Sequence, residues 1–391
     1  MFKYLFKKDT LLATLMVFAV MGLLSLIPLN THVLDPIKLA LQDFDYNDMA
    51  WSQFGKNKNS SVDTNIVVVH IGNANRAELA KMIDVIDSEQ PAVIATDVLF
   101  NEARDTQTDS ILLHALQKPS VVSAYRLVPA ETDSPAKSFF PIDQHQSGYA
   151  NFVAEDGGVI RNFAPHVEIN DRIYYSFATS IVKKIAPEKY AVLEKRNHIT
   201  EEINYSRTIQ KYLIIDGMTL LDSSSSFQGF KNKIVIMGFT PSDEHNMEDK
   251  HFTPMNTKSV GKTRADMQGA IIHANIIDML MNENYINRTP SWLVWLVAVL
   301  LCWLHMAVFV KYFLDHHLWF HLVAKIAQLI STVLFVYLGL LFFVQADIKL
   351  NLAPTLLAII LAVDVLYFYE AIAKWLNLKF NFKTIFAHAS H

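Results

Sequence analysis

The chain has 391 residues, more than one ordinary soluble domain needs. Hydrophobic residues make up 51% and charged residues 18%, below the roughly 25% charged that is usual in soluble globular proteins. The apolar excess excludes a disordered chain and a plain cytosolic enzyme, and the net charge of −4 excludes a strongly basic nucleic-acid binder; the single cysteine, Cys302, excludes a disulfide framework and a structural zinc site.

In chain order, Leu11–Leu29 carries no charge and follows Lys3, Lys7 and Lys8. At 1.5 Å per residue it crosses a hydrocarbon layer of roughly 30 Å. No small-residue cleavage site surrounds Pro28, so an uncleaved anchor is expected. Residues 30–290 then hold 33 acidic and 25 basic side chains. Asp35–Asp48 reads as partly helical. Asn65–Gly72 is a β-branched run of the kind buried on both faces of a parallel sheet. Arg76–Asp87 places Leu79, Met82, Ile83 and Ile86 on one helical face. A strand at Ala92–Val98, a helix around Thr108–Gln117 and a strand at Ser120–Arg126 complete β-α-β-α-β, which implies right-handed parallel crossovers. Asp156 with Gly157 and Gly158 marks a tight turn. A hairpin about Asn170-Asp171 and a helix at Ser176–Ala186 come next, and Lys233–Phe239 is expected to rejoin the sheet. Met267–Asn284 predicts a helix with Asn275, Asp278 and Asn282 on one face and His273, Ile276, Ile277 and Leu280 on the other.

Three more apolar blocks follow: Ser291–Phe313, Leu322–Val344 and Leu352–Ala373. Lysines cluster before the first span, between the second and third, and after the fourth. By the positive-inside rule both termini are cytoplasmic and residues 30–290 lie outside, in a bacterial inner membrane. Measured from the outer end of its own span, His305 lies roughly 21 Å deep and Asp364 roughly 18 Å, with Lys325 and Glu370 roughly 27–28 Å. Gln328, Ser331 and Thr332 fall near the level of the first two. The expectation is that Asp364 meets His305 or these polar groups, and that Lys325 pairs with Glu370 or snorkels.

Several stretches together resemble the CHASE domain, type 2, the extracellular sensory module of bacterial receptors. They are Ile66-Val-Val-Val-His-Ile, Ala92-Val-Ile-Ala-Thr-Asp97-Val-Leu-Phe100-Asn-Glu102, Asp156-Gly-Gly-Val-Ile-Arg161 and Lys231-Asn-Lys-Ile-Val-Ile-Met-Gly238. The most specific are Glu248-Asp249-Lys-His-Phe-Thr253-Pro254 and Gly269-Ala-Ile-Ile-His273-Ala-Asn275. The one-plus-three arrangement of spans matches too, and the likeness covers roughly residues 35–375. The resemblance implies a sensory α/β domain with a largely parallel sheet. Family members usually end in a cytoplasmic kinase or nucleotide cyclase, whereas only Lys374–His391 follows the last span here, so output through a separate partner is expected. The Trp/Pro-rich stretch usual after the first strand is replaced by the short Gly72-Asn-Ala-Asn-Arg76.

The ligand-binding candidates are Asp97, at the C-terminal end of a parallel strand where open α/β sheets place ligands, Glu102 on the loop after it, Arg161, Asp249 and His273. Arg161 reads equally as one half of a structural ion pair, and His273 as a core histidine. His245, Glu248, Asp249 and His251 are dense, yet match no metal-binding spacing and read as a solvated loop. No nucleophile setting is visible, so neither enzyme activity nor a cofactor or metal is expected. Two functions are carried forward: a membrane receptor for an unknown small-molecule or protein signal, and a ligand-free structural subunit of an envelope complex. A homodimer is compatible with both, and nucleic acid is not expected as a partner.

Overall fold

The computed structural model describes residues 2–26, 45–57, 60–128, 135–141, 143, 145–153, 158–222, 229–243, 246–256 and 265–387. The expected helix before Asp48, the Asp156-Gly157 turn and His245 lie outside them. The chain divides into two units, residues 38–286 and residues 1–37 with 287–391. In chain order the main elements are α1 Lys8–Ser25, β1 Ile66–His70, α2 Arg76–Ser88, β2 Val93–Thr96, α3 Thr106–Leu116, β3 Val121–Leu127 and β4 Ser147–Tyr149. They continue with α4 Phe177–Ile185, α5 Pro187–Arg196, β5 Leu213–Asp216, β6 Ile234–Gly238, α6 Gly269–Asn282, α7 Ser291–Asp315, α8 His317–Ala346 and α9 Ala353–Phe380.

Residues 38–286 form an α/β domain. Its strands run parallel in the order β5-β1-β6-β2-β3-β4, and Ala136–Lys137 adds an antiparallel piece beside the end of β3. The central strands are buried along their length, as their β-branched runs require. Alternation then sorts the side chains between the two faces. Val67, Val69, Ile94, Val235 and Met237 point into a core closed by Leu79, Met82, Ile83 and Ile86 of α2 and Leu112 of α3. Each such side chain contributes roughly 1.5–3 kcal/mol by leaving water. The opposite face carries α4 and α6. Local chemistry sets the boundaries. Asn75 and Glu78 form a reciprocal capping box that starts α2, and Ser176 caps α4. Asn170 and Asp171 adopt φ of 52° and 58°, the primed turn that joins His166–Ile169 to Arg172–Tyr175. Gly148 is needed because a Cβ there would lie 2.6 Å from the Phe177 backbone.

The predicted helix at Met267 begins two residues later. Met267–Gln268 instead pairs with Lys250–His251 as a short antiparallel ribbon. Every residue of α6 from Gly269 to Leu280 is buried. Its polar face is docked too as far as Asp278, with Asn282 exposed beyond it: Asn275 Oδ1 accepts from the Ser206 and Arg207 N–H groups at 2.9 and 3.0 Å. Asp278 pairs with Arg207 at 2.5 Å and accepts from Ser206 Oγ at 2.6 Å.

In the other unit, four helices among the described residues are long and apolar enough to cross a membrane: α1, α7, α9 and residues Leu318–Ala346 of α8. Helix α7 packs along α9, and both pack on α1 through Ala13, Val17, Met306, Val310, Ala362 and Leu366. Asp9, in the first turn of α1, is 3% exposed. It accepts hydrogen bonds from Tyr369 Oη, Thr384 Oγ1 and the Ile385 N–H at 2.7–3.1 Å, so the segment after α9 folds back onto the bundle and buries Phe386.

One expected intramembrane meeting is corrected, that of Asp364 with His305 or the polar groups of the third span. His305 Nε2 meets Ser331 Oγ at 2.8 Å, and Gln328 donates to the Ile359 and Ile360 carbonyls at 2.8 and 3.0 Å. Asp364 meets none of these; its side chain is exposed, and among the described residues its carboxylate makes no hydrogen bond or ion pair. Lys325 is exposed as well, and Glu370 pairs with Lys374 one turn along α9 at 2.8 Å. The physical reason is register. Leu352, just before α9, packs against Gly339, and His321 contacts Tyr367 at 2.7 Å. Helix α9 thus starts well below the end of α8, which sets Asp364 beside the level of Lys325 rather than that of Ser331.

Candidate functional site

The site is built where the C-terminal ends of β1, β6 and β2 lie side by side. Register pairs His70 with Gly238, and Met237 with Thr96, so Asp97 is the next position across from Gly238. A Cβ on Gly238 would sit 2.6 Å from that of Ala270. Glycine there lets the first turn of α6 rest on the strand end, and the side chain one turn further along, His273, comes over Asp97. His273 Nε2 is 3.9 Å from Asp97 Oδ1, too long for a hydrogen bond. The imidazole stacks on Phe152 at 4.6 Å and meets the edge of Phe177 at 5.2 Å. It is 4% exposed, and its Nδ1 has no hydrogen-bond partner among the described residues.

The ribbon Lys250–His251 brings in the remaining groups. Asp249, at φ 56°, accepts the Gly269 N–H at 3.3 Å, which places a carboxylate at the positive end of the α6 dipole. His251 lies 3.6 Å from that carboxylate and touches the other side of Phe152 at 5.1 Å. Asp266 accepts from the Thr253 N–H at 2.8 Å and from its hydroxyl at 2.6 Å. Burial, helped by the Asp249 charge, pushes the Asp97 carboxyl up to about 7. Burial pushes the His273 imidazole down to about 3, against an upward pull from Asp249. Burial raises Asp266 to about 6 in spite of its hydrogen bonds. The edge therefore holds carboxyls that titrate near neutrality around an imidazole that stays uncharged.

Of the candidates read from the sequence, the structure brings Asp97, Asp249 and His273 together. Glu102 is elsewhere: its carboxylate is exposed, and its backbone carbonyl accepts from Arg76 at 2.6 Å. Arg161 is buried and makes a two-pronged pair with Asp48, at 3.0 and 2.7 Å. Phe152, His251 and Asp266 escaped the sequence reading as one group, because only the ribbon and the α6 seat bring them together. A cavity of about 250 Å³ lies apart from this cluster, lined by Phe100, Leu113, Tyr125, Phe140 and Gln146 among others. None of the five sequence candidates lines it. Among the described residues no group of three or more His, Cys, Asp or Glu side chains is placed to hold a metal ion.

A parallel α/β sheet whose strand ends carry this cluster, flanked by helices fit to cross a membrane, is the setting in which family comparison decides. The family model described as the CHASE2 domain matches residues 16–311. The chain belongs to the CHASE2 family. CHASE2 is a sensory domain, so the expected α/β sensory fold and the family resemblance both stand. The matched CHASE2 region takes in the second half of α1, the whole α/β domain and most of α7. No curated protein and no solved structure matches the chain.

Proposed function

We propose that this CHASE2 protein is an inner-membrane receptor whose α/β domain faces outward and binds its signal at the sheet edge formed by Asp97, Asp249, His251 and His273. The observation that carries the reading is the buried His273 ring, set beside Asp97 without a hydrogen bond to it and with an unpartnered Nδ1. Buried polar groups in native folds are mostly satisfied, and the carboxyl edge of a parallel sheet, where this exception lies, is where open α/β folds take ligands. The edge is also the seat of α6, and the chain runs from the end of α6 to the start of α7 in eight residues, 283–290. A ligand that favours one seating of α6 by roughly 1.4 kcal/mol shifts the balance between two seatings tenfold. Output then passes through α7 to a separate partner protein, and the chain itself catalyses nothing.

The test is thermal unfolding of the full chain in lipid discs against a panel of anionic, cationic and neutral metabolites. A compound at 100 times its dissociation constant adds about 2.7 kcal/mol to the domain. The reading expects at least one such compound, with the gain lost in His273→Phe. It is refuted if no compound stabilises the protein, or if His273→Phe responds as the wild type does; the former outcome favours a ligand-free envelope subunit.

A further inference from the structure

Five of the six buried carboxylates described elsewhere in the α/β domain, all but Glu202, pair with an arginine. Asp48 has Arg161, Asp109 has Arg76, Glu201 has Arg196, and Asp63 and Asp278 share Arg207. The sheet-edge carboxyls depart from this pattern. Among the described residues, neither Asp97, Asp249 nor Asp266 forms an ion pair with lysine or arginine. Among the described residues, the basic side chains in ion-pair range are His273, beside Asp97, and His251, beside Asp249. Removing a carboxylate from water without a counter-charge is costly, and a protein meets that cost by pairing or by protonation. Asp97 shows the second response, its carboxyl having moved up to about 7 through burial and the facing Asp249 charge.

Resting on the sheet edge as the binding site, we propose that its ligand is a compact organic cation, an alkylammonium or guanidinium group, held by the Asp97 and Asp249 carboxylates beside the ring of Phe152. The cation supplies the charge that arginine supplies at the other buried acids. The Asp97 side chain is 13% exposed and that of Asp249 41%, so one carboxylate is largely buried and the other reaches solvent. The neutral imidazole of His273, whose Nδ1 has no hydrogen-bond partner among the described residues, offers an acceptor to an N–H donor. A metal ion is disfavoured, since the side chains do not converge in a ligating group. Binding drives the proton off Asp97, so the cation and one proton exchange.

The test is calorimetric titration of the full chain in lipid discs with ethylammonium, methylguanidinium and putrescine. Mg²⁺, Ca²⁺, acetate and propionamide are run alongside, in two buffers of different ionisation enthalpy. The proposal expects an organic cation to bind with release of up to about one proton at pH 6.5 and almost none at pH 9. Asp97→Asn and Asp249→Asn each weaken it by about tenfold or more, while Glu102→Gln leaves it unchanged. Asp249 reaches solvent, so its variant tests the idea should Asp97→Asn fail to fold. Binding of divalent ions alone overturns the assignment. So does a neutral or anionic compound that stabilises the protein through His273, an outcome that leaves the sheet edge as the sensing site. Silence of every compound overturns both.

Discussion

At the scale of single residues, Asp97 and His273 make opposite demands on pH. The Asp97 carboxyl is raised in the folded protein, so between its ordinary range and about 7 the folded chain holds a proton that the unfolded chain has lost. Its contribution is therefore greatest at low pH and disappears as pH rises through 7. His273 is lowered to about 3, so what it contributes is present above pH 6.5 and lost as pH falls toward 3. Asp97→Asn removes the first trend and leaves the second. Urea unfolding of the full chain should show the variant gaining on the wild type by about 2–4 kcal/mol between pH 5 and pH 8; a constant difference would contradict the buried, charge-starved carboxyl. Arg161 tests a purely structural pair. Arg161→Ala strands the Asp48 carboxylate and should cost about 3–5 kcal/mol, whereas Arg161→Met with Asp48→Leu should cost much less. Equal losses would mean that the pair itself, not the stranded charge, carries the energy. Asp97 was legible from the sequence because a strand end in a parallel sheet is a known place for ligands. The partner of Arg161 was not legible, since 113 residues separate it from Asp48 and no local pattern links them.

Among the elements, α6 shows what periodicity can and cannot tell. The wheel separated Asn275, Asp278 and Asn282 correctly from the apolar face, yet it could not say that the polar face would be buried against residues 204–207. Asn275 satisfies two backbone N–H groups and donates to the Arg207 carbonyl at 2.9 Å. Asn275→Leu keeps the volume and orphans all three. It should cost about 2–4 kcal/mol and speed hydrogen exchange at Ser206 and Arg207; unchanged exchange there would show that α6 is held by its apolar face alone. The long buried strands β1, β2, β3 and β6 were legible as β-branched runs, and the capping residues sharpen their neighbours. Strands β4 and β5 were not: Ser147-Gly-Tyr is too short to show alternation, Leu213-Ile-Ile-Asp is an edge strand exposed at both ends, and both exist because the sheet beside them supplies partners. The expected Asp364–His305 meeting failed for a related reason. Span boundaries fix a helix's length but not its slide against a neighbour, and packing such as Leu352 on Gly339 sets that slide.

For the whole molecule, the reading joins an acidic α/β domain to a bundle fit to cross a membrane, with the domain outside and the two chain ends inside. A cysteine-labelling experiment on a Cys302→Ser background checks this orientation. Ile199 is 88% exposed on the α/β domain and Leu378 is 86% exposed near the end of α9. Ile199→Cys should react with an impermeant maleimide on spheroplasts, and Leu378→Cys only after the membrane is opened; the reverse pattern would invert the topology. The central claim is that the cluster around Asp97 and His273 receives the signal and that α6 carries it on. Hydrogen exchange of the full chain in lipid discs, with and without the compound that most raises its unfolding temperature, tests this most directly. Slowed exchange in the first turn of α6, Gly269–His273, together with altered exchange at the start of α7 is the predicted result. Slowing confined to the cavity beside Tyr125 and Phe140, with α6 unchanged, would contradict it.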